Sequence, residues 1–163
     1  MTSDHWPAAV FSGDGIYRYY LSRAWSDVGA HIAFIGLNPS TADAVHDDRT
    51  ISRCISFAKE WGGSRLSMVN LFALRSTNPI ALSRVQDPVG PETDVWLDRV
   101  VQAADIVVAC WGNHGVLHGR GQTIAQRFDG KLVALAINGS GAPKHPLYVR
   151  SGTCLMPYSP FAT

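Results

Sequence analysis

A chain of 163 residues suits one domain that buries about two thirds of its unfolded surface, so neither a metal nor a disulfide is needed to hold it together. Fourteen Lys and Arg against thirteen Asp and Glu leave a net charge of +1, which excludes the global basic field that gathers nucleic acid from a distance; any such site is local. The three cysteines, Cys54, Cys110 and Cys154, lie far apart without a CxxC pair, which excludes a disulfide framework or a zinc knuckle and reads as reduced, buried thiols.

The opening MTSDHWPAAV lacks the basic segment and apolar run of a secretory leader, and no stretch reaches bilayer-spanning length, so a cytoplasmic protein is expected. Next, GIYRYYLSRAW at 15 to 25 alternates partly between aromatic and polar residues behind a turn at Gly13, Asp14 and Gly15, which predicts an added edge hairpin. Four apolar, β-branched runs follow: HIAFIGL at 31 to 37, LSMVNLFAL at 66 to 74, DIVVACWG at 105 to 112 and KLVALAI at 131 to 137. Near-continuous runs of this kind suit strands covered on both faces.

Helical spacing fills the gaps. The first crossover carries Ile51, Cys54, Ile55 and Ala58 on one stripe and stops at Gly62 and Gly63. The second opens at Gly90 and Pro91, sets Glu92 and Asp94 in the positive first turn, and turns Val95 or Trp96, then Val100, Val101 and Ala104, inward. A shorter third helix spans Gln122 to Phe128. The expected fold is therefore a single α/β domain over residues 1 to 163, a three-layer sandwich around a four-stranded parallel sheet extended by the N-terminal hairpin. Pro and Gly cluster at 86 to 91 and 138 to 146, which read as loops.

In such sheets ligands bind outside the carboxyl ends of the strands, where loops converge and helix N-termini point their amides. Those ends are loaded here with Asn38-Pro39-Ser40, Arg75 to Pro79, Gly112-Asn113-His114, and Asn138 to Ser140 followed by Lys144-His145-Pro146. Asn38 is read either as an Asx turn capping its own backbone or as a polar anchor in the cleft. Asn70, inside an apolar run, requires a partner, since an unpaired buried amide costs about 1–3 kcal/mol; a structural group and a ligand fit equally. Trp111 reads as core or as a stacking platform, and His145, held in a stiff loop, as acid or electrostatic help to a leaving group or as a surface histidine.

His114 and His118 have the i, i+4 spacing of a helical metal pair, but two ligands are too few, and His46, Asp47 and Asp48 read first as a helix cap; no metal and no cofactor are expected. No GxGxxG follows a strand, and neither GxxxxGK[ST] nor GxSxG occurs, which sets aside dehydrogenase-like, kinase-like and α/β-hydrolase readings.

The blocks IGLNPSTAD, DDRTISRC, VNLFALRSTNP, DPVGPE, VACWGNHG and KHPLYV, in that order between Tyr17 and Tyr158, resemble the bacterial family DUF1643. More distantly, Gly36-Leu37-Asn38-Pro39 after the first run and His145-Pro146-Leu147 after the fourth are similar to two loops of the uracil-DNA glycosylase superfamily. That resemblance implies a glycosylase-like hydrolase of DNA repair that cleaves a base from its sugar. It makes Asn38 the residue that holds the attacking water and His145 the stabiliser of the departing base. Asn70 then reads the base edge and Phe72 or Trp111 stacks on it, while Leu147 is the wedge and Pro39, Ser40 and His114 complete the substrate site. Arg49, Arg53, Arg75, Lys144 and Arg150 are the candidates for DNA backbone contacts. The strand-four loop lacks the serine of HPS, and no carboxylate follows Gly36, which keeps two alternatives open. One is a non-catalytic module that binds nucleic acid or a nucleotide; the other is an enzyme acting on a free nucleoside or another small molecule.

Overall fold

The computed structural model describes residues 5–160, so the first four residues of the stretch read for a leader lie outside the described residues. Seven strands form one mixed sheet: β1 (Ala9–Phe11), β2 (Arg18–Ala24), β3 (Ala30–Gly36), β4 (Gly63–Asn70), β5 (Ile106–Ala109), β6 (Leu132–Ala134) and β7 (Met156–Pro157), in the order β1-β2-β4-β3-β5-β6-β7. The four apolar runs became β3 to β6, which pair in parallel with their neighbours, whereas β2 runs antiparallel to β4 and β7 antiparallel to β6. Beyond the expected four strands and hairpin, the sheet thus gains β7. The hairpin is present, with β1 antiparallel to β2, but β2 lies inside the sheet and β1 forms the edge. The apolar run at 66 to 74 leaves regular pairing at Asn70 and the run at 131 to 137 supplies three paired residues, because apolar composition reports burial and not ladder hydrogen bonds.

Four helices cover the sheet: α1 (Arg49–Glu60), α2 (Ala81–Arg84), α3 (Thr93–Ala103) and α4 (Arg120–Arg127). Asp48 caps α1 by accepting from the Ile51 amide at 2.9 Å, and the helix ends at Trp61, just before Gly62; its buried stripe is Ile51, Cys54, Phe57 and Ala58, with Ile55, expected on it, half-buried. That stripe joins Ile32, Phe34, Leu66, Met68, Val108 and Cys110 in one apolar cluster. The alternate residues Ala33, Ile35, Val69, Val107 and Ala109 join Leu97, Val100 and Val101 of α3 and Ile124 and Ala125 of α4 in the other. The period of two along each strand therefore divides the core between the two faces of the sheet.

On α3, Trp96 packs inward against the Tyr20 ring, 5.0 Å between centroids, while Val95 is exposed, which decides between the two candidates. Asp94 in its first turn also receives Arg120 Nη2 at 2.5 Å, tying α3 to the start of α4. Cys54 and Cys110 are buried as expected, but Cys154 is exposed. Among the described residues no helix is long and apolar enough to cross a membrane.

Candidate functional site

The chain leaves β3 to one neighbour, β4, and later enters β5 on the other side of β3. The connections after β3 and β5 then pack on opposite faces, α1 with one cluster and α4 with the other, which opens a crevice beyond the carboxyl ends of these strands. A cavity of about 730 Å³ occupies it. Its wall contains Asn38, Pro39, Ser40, Asn70, Trp111, His114, Lys144, His145 and Leu147, so the structure brings nine of the residues singled out from sequence to one place.

The four strand-end loops are cross-tied around this space. The Ser76 amide donates to Pro39 O at 2.9 Å and the Gly112 amide to Pro143 O at 2.8 Å. Asn113 Oδ1 accepts from Asn138 Nδ2 at 2.9 Å and from Ser140 Oγ at 2.6 Å, joining the loops after β5 and β6.

Asn38 is held by its nitrogen. Nδ2 lies 2.9 Å from Ser76 O, 3.1 Å from Pro39 O and 3.2 Å from Leu74 O, and Oδ1 carries no hydrogen bond among the described residues. The turn reading and the anchor reading therefore describe two ends of one amide, its donor end building the loop and its acceptor end remaining available. His145 is fixed in a comparable way: its Nδ1 accepts from the Leu147 amide at 3.2 Å, which places the proton of the neutral ring on Nε2. Burial holds its pKa below the ordinary imidazole value, against a smaller opposing pull from Asp48, so the ring is a neutral donor at pH 7.

Asn70 ends β4 opposite Gly36 at the end of β3. It is 5% exposed, and its buried Nδ2 has no partner. Its amide fits because residue 36 is glycine: a Cβ there would stand 2.7 Å from Asn70 Oδ1. Also on the cavity wall is Arg18 of β2, 2% exposed, which sequence reading missed. Arg18 Nη1 donates to Ala42 O at 3.0 Å, while its buried Nε is unpartnered. Burial pushes its pKa down to about 10, with Asp48 pulling the other way, so it stays cationic at neutral pH. Asp48, the one carboxylate on the wall among the described residues, is occupied: its oxygens accept from Ile51 N at 2.9 Å and Ala42 N at 3.3 Å. The sequence pointed to Asp48 first as a cap, ahead of a metal ligand, and Arg18 was hidden by an edge-hairpin reading that left its strand half solvated.

Trp111 is both core and wall, buried with its edge against Tyr158 at 5.7 Å between centroids. Phe72 is fully buried against the His118 ring and is not on the cavity wall, so it is removed from the stacking position. Leu147 at 37% exposure and Tyr148 at 79% form an apolar lip. Of the five basic candidates, Lys144 is on the wall and Arg49 and Arg150 are exposed. Arg53 is engaged with Val149 O, Ser151 Oγ and the Phe57 ring, and Arg75 with Gly15 O and the Phe11 ring. The helical pair of His114 and His118 does not form: the segment Asn113–Gly119 is a broken 3₁₀ helix, with His118 at φ 54° and its Nε2 2.8 Å from Leu82 O. No cluster of three metal-ligating side chains occurs among the described residues.

Two histidines, buried His31 and half-buried His145, set a pH dependence. Burial depresses the pKa of His31, with Arg65 adding to the effect, and burial likewise depresses His145. The unfolded chain thus binds more protons in the window below the ordinary value of 6.5. Their contribution to stability is complete above that pH and is lost as pH falls through the depressed values. The urea midpoint should fall between pH 7 and pH 5, and the fall should shrink in His31→Gln; an unchanged pH dependence in that variant would remove His31 as a source.

Fold and cavity together define an α/β protein with a cavity at the carboxyl ends of its parallel strands. The chain belongs to the DUF1643 family, described as a protein of unknown function, whose model matches residues 18–147. No curated protein and no solved structure matches it, and these comparisons contain no link to the uracil-DNA glycosylase superfamily.

Proposed function

We propose that this chain is a glycosylase-like hydrolase that cleaves the N-glycosyl bond of a base in DNA. The observation that carries the reading is the buried Asn70 amide, unpartnered on the wall of a cavity that also contains Asn38 and His145. A buried donor left without a partner costs about 1–3 kcal/mol, a cost that a ligand edge removes. In this reading Asn70 pairs with the edge of an extruded base and Trp111 supplies the apolar wall. Asn38 Oδ1 accepts a hydrogen bond from the attacking water. The water adds to the anomeric carbon as the bond to the base nitrogen breaks; the electron pair leaves with the base, whose charge the His145 Nε2 proton stabilises, and the proton lost by the water passes to solvent, from which the released base takes one up. Leu147 enters the gap in the stack, with Lys144, Arg49 and Arg150 facing phosphates. Arg53 and Arg75, already engaged, serve this less directly.

The test is abasic-site formation on oligonucleotides carrying uracil, mismatched thymine, hypoxanthine or an alkylated base. Cleavage is expected, and Asn38→Ala and His145→Ala are each expected to lower its rate by about 100-fold or more. A second reading, a module that binds a base or nucleotide without cleaving it, is favoured by the tethering of Asp48, the one wall carboxylate among the described residues, as the α1 cap. Binding that weakens steeply with salt and no cleavage would select it. Absence of both would overturn the two readings together and point to a small neutral substrate.

A further inference from the structure

The guanidinium of Arg18 is the most buried charge in the cavity wall. Its side chain makes one hydrogen bond, from Nη1 to Ala42 O. No carboxylate bonds to it among the described residues, since both Asp48 oxygens accept backbone amides. What remains is the edge formed by Nε and Nη2: Nε is buried without a partner, and Nη2 has none among the described residues. These two N–H groups point the same way and form a fork of fixed geometry. A fork can only donate. The Asn70 amide on the same wall can present either of its ends to a ligand, so Asn70 alone does not select between keto and amino groups. Arg18 does.

We infer that Arg18 is a specificity-determining residue whose Nε–Nη2 edge takes a ligand with two adjacent acceptor atoms. On the reading proposed above, on which this inference rests, that ligand is a 6-oxopurine presenting O6 and N7. The same edge of adenine places an amino donor where O6 would be, opposite a group that cannot accept. Pyrimidines with one carbonyl on that edge engage a single prong. A carboxylate or phosphate also has two adjacent acceptors, and the occupied α1 cap argues against it: the Asp48 carboxylate already sits in the field of Arg18 and would repel a second anion.

The experiment is equilibrium binding to the full chain of hypoxanthine, adenine, uracil, acetate and inorganic phosphate, followed by Trp fluorescence and calorimetry. Hypoxanthine is expected to bind about tenfold or more tightly than adenine, the scale of one bidentate base contact. Arg18→Lys, which keeps the charge and loses the fork, should reduce that ratio towards one while adenine binding changes little. Equal binding of hypoxanthine and adenine by the parent would overturn the assignment of Arg18 and leave the base-binding reading standing. Binding of acetate or phosphate without any base, or of nothing at all, would overturn both. Should the variant fail to fold, the ratio measured on the parent decides.

Discussion

Replacing Gly115 with alanine is expected to destabilise the protein by about 1–3 kcal/mol, the usual cost of forcing a methyl group into a packed interior. A Cβ at 115 would stand 2.2 Å from Trp111 Cδ1 and 2.6 Å from Nε1, contacts that no folded protein tolerates. The indole has nowhere to retreat. Gly121 presses on the same edge, where a Cβ would stand 2.9 Å from Nε1, and the Tyr158 ring meets it at 5.7 Å. The melting temperature should therefore fall by about 2–12 °C, taking about 2–4 °C for each kcal/mol in a chain of this size. Since Trp111 also lines the cavity, its fluorescence and any ligand affinity should change in the same variant. A parent-like melting temperature and emission would mean that the indole is not wedged as described.

Asn70→Leu should separate stability from function. The substitution removes a buried amide that has no partner and replaces it with an apolar side chain of the same branching but larger volume, next to Met68 and Gly36. An orphaned amide costs about 1–3 kcal/mol, so relieving it should raise stability by about 1 kcal/mol after imperfect packing is subtracted, or about 2–4 °C in melting temperature. Base binding or cleavage should drop by about 10- to 100-fold, the worth of one bidentate contact to a base edge. Thermal melting and the abasic-site assay on the same preparations check both halves. Loss of stability together with loss of activity would show that the amide is structural, and the carrying observation for the proposed function would be withdrawn.

The parallel strands and the three longer helices were legible because their signals are local. Apolar runs of seven to nine residues, a 3.6-residue stripe and capping residues each report on a neighbourhood of one turn or one strand. Asn38, Asn70, Trp111 and His145 could be placed on one wall for a related reason: each lies in or after such a run, and parallel strands bring their ends together without further information. Arg18 was not legible. Its place on the cavity wall depends on β2 pairing with β4, 40 residues or more along the chain, and nothing near residue 18 records that pairing. The 3₁₀ break at Leu117 and His118 was missed because a histidine with positive φ is held by a distant carbonyl, that of Leu82, and not by its own sequence neighbours. Phe72 failed as a stacking residue by one position: Asn70 and Phe72 share a period of two, but the regular strand ends at Asn70 and the chain turns away.

The edges of the sheet bear on how much of the chain is one folding unit. The family match covers residues 18–147, yet β1 and β7 both fall outside it and pair with β2 and β6. A fragment cut to the matched region would expose the outer rows of amides and carbonyls on β2 and β6, an open template for pairing with other chains. In the whole chain β7 covers β6 and ends in Pro157, which offers no N–H to a further strand, and Tyr158 beyond it braces Trp111. Residues outside the family match thus complete both edges of the sheet and brace the cavity wall from behind.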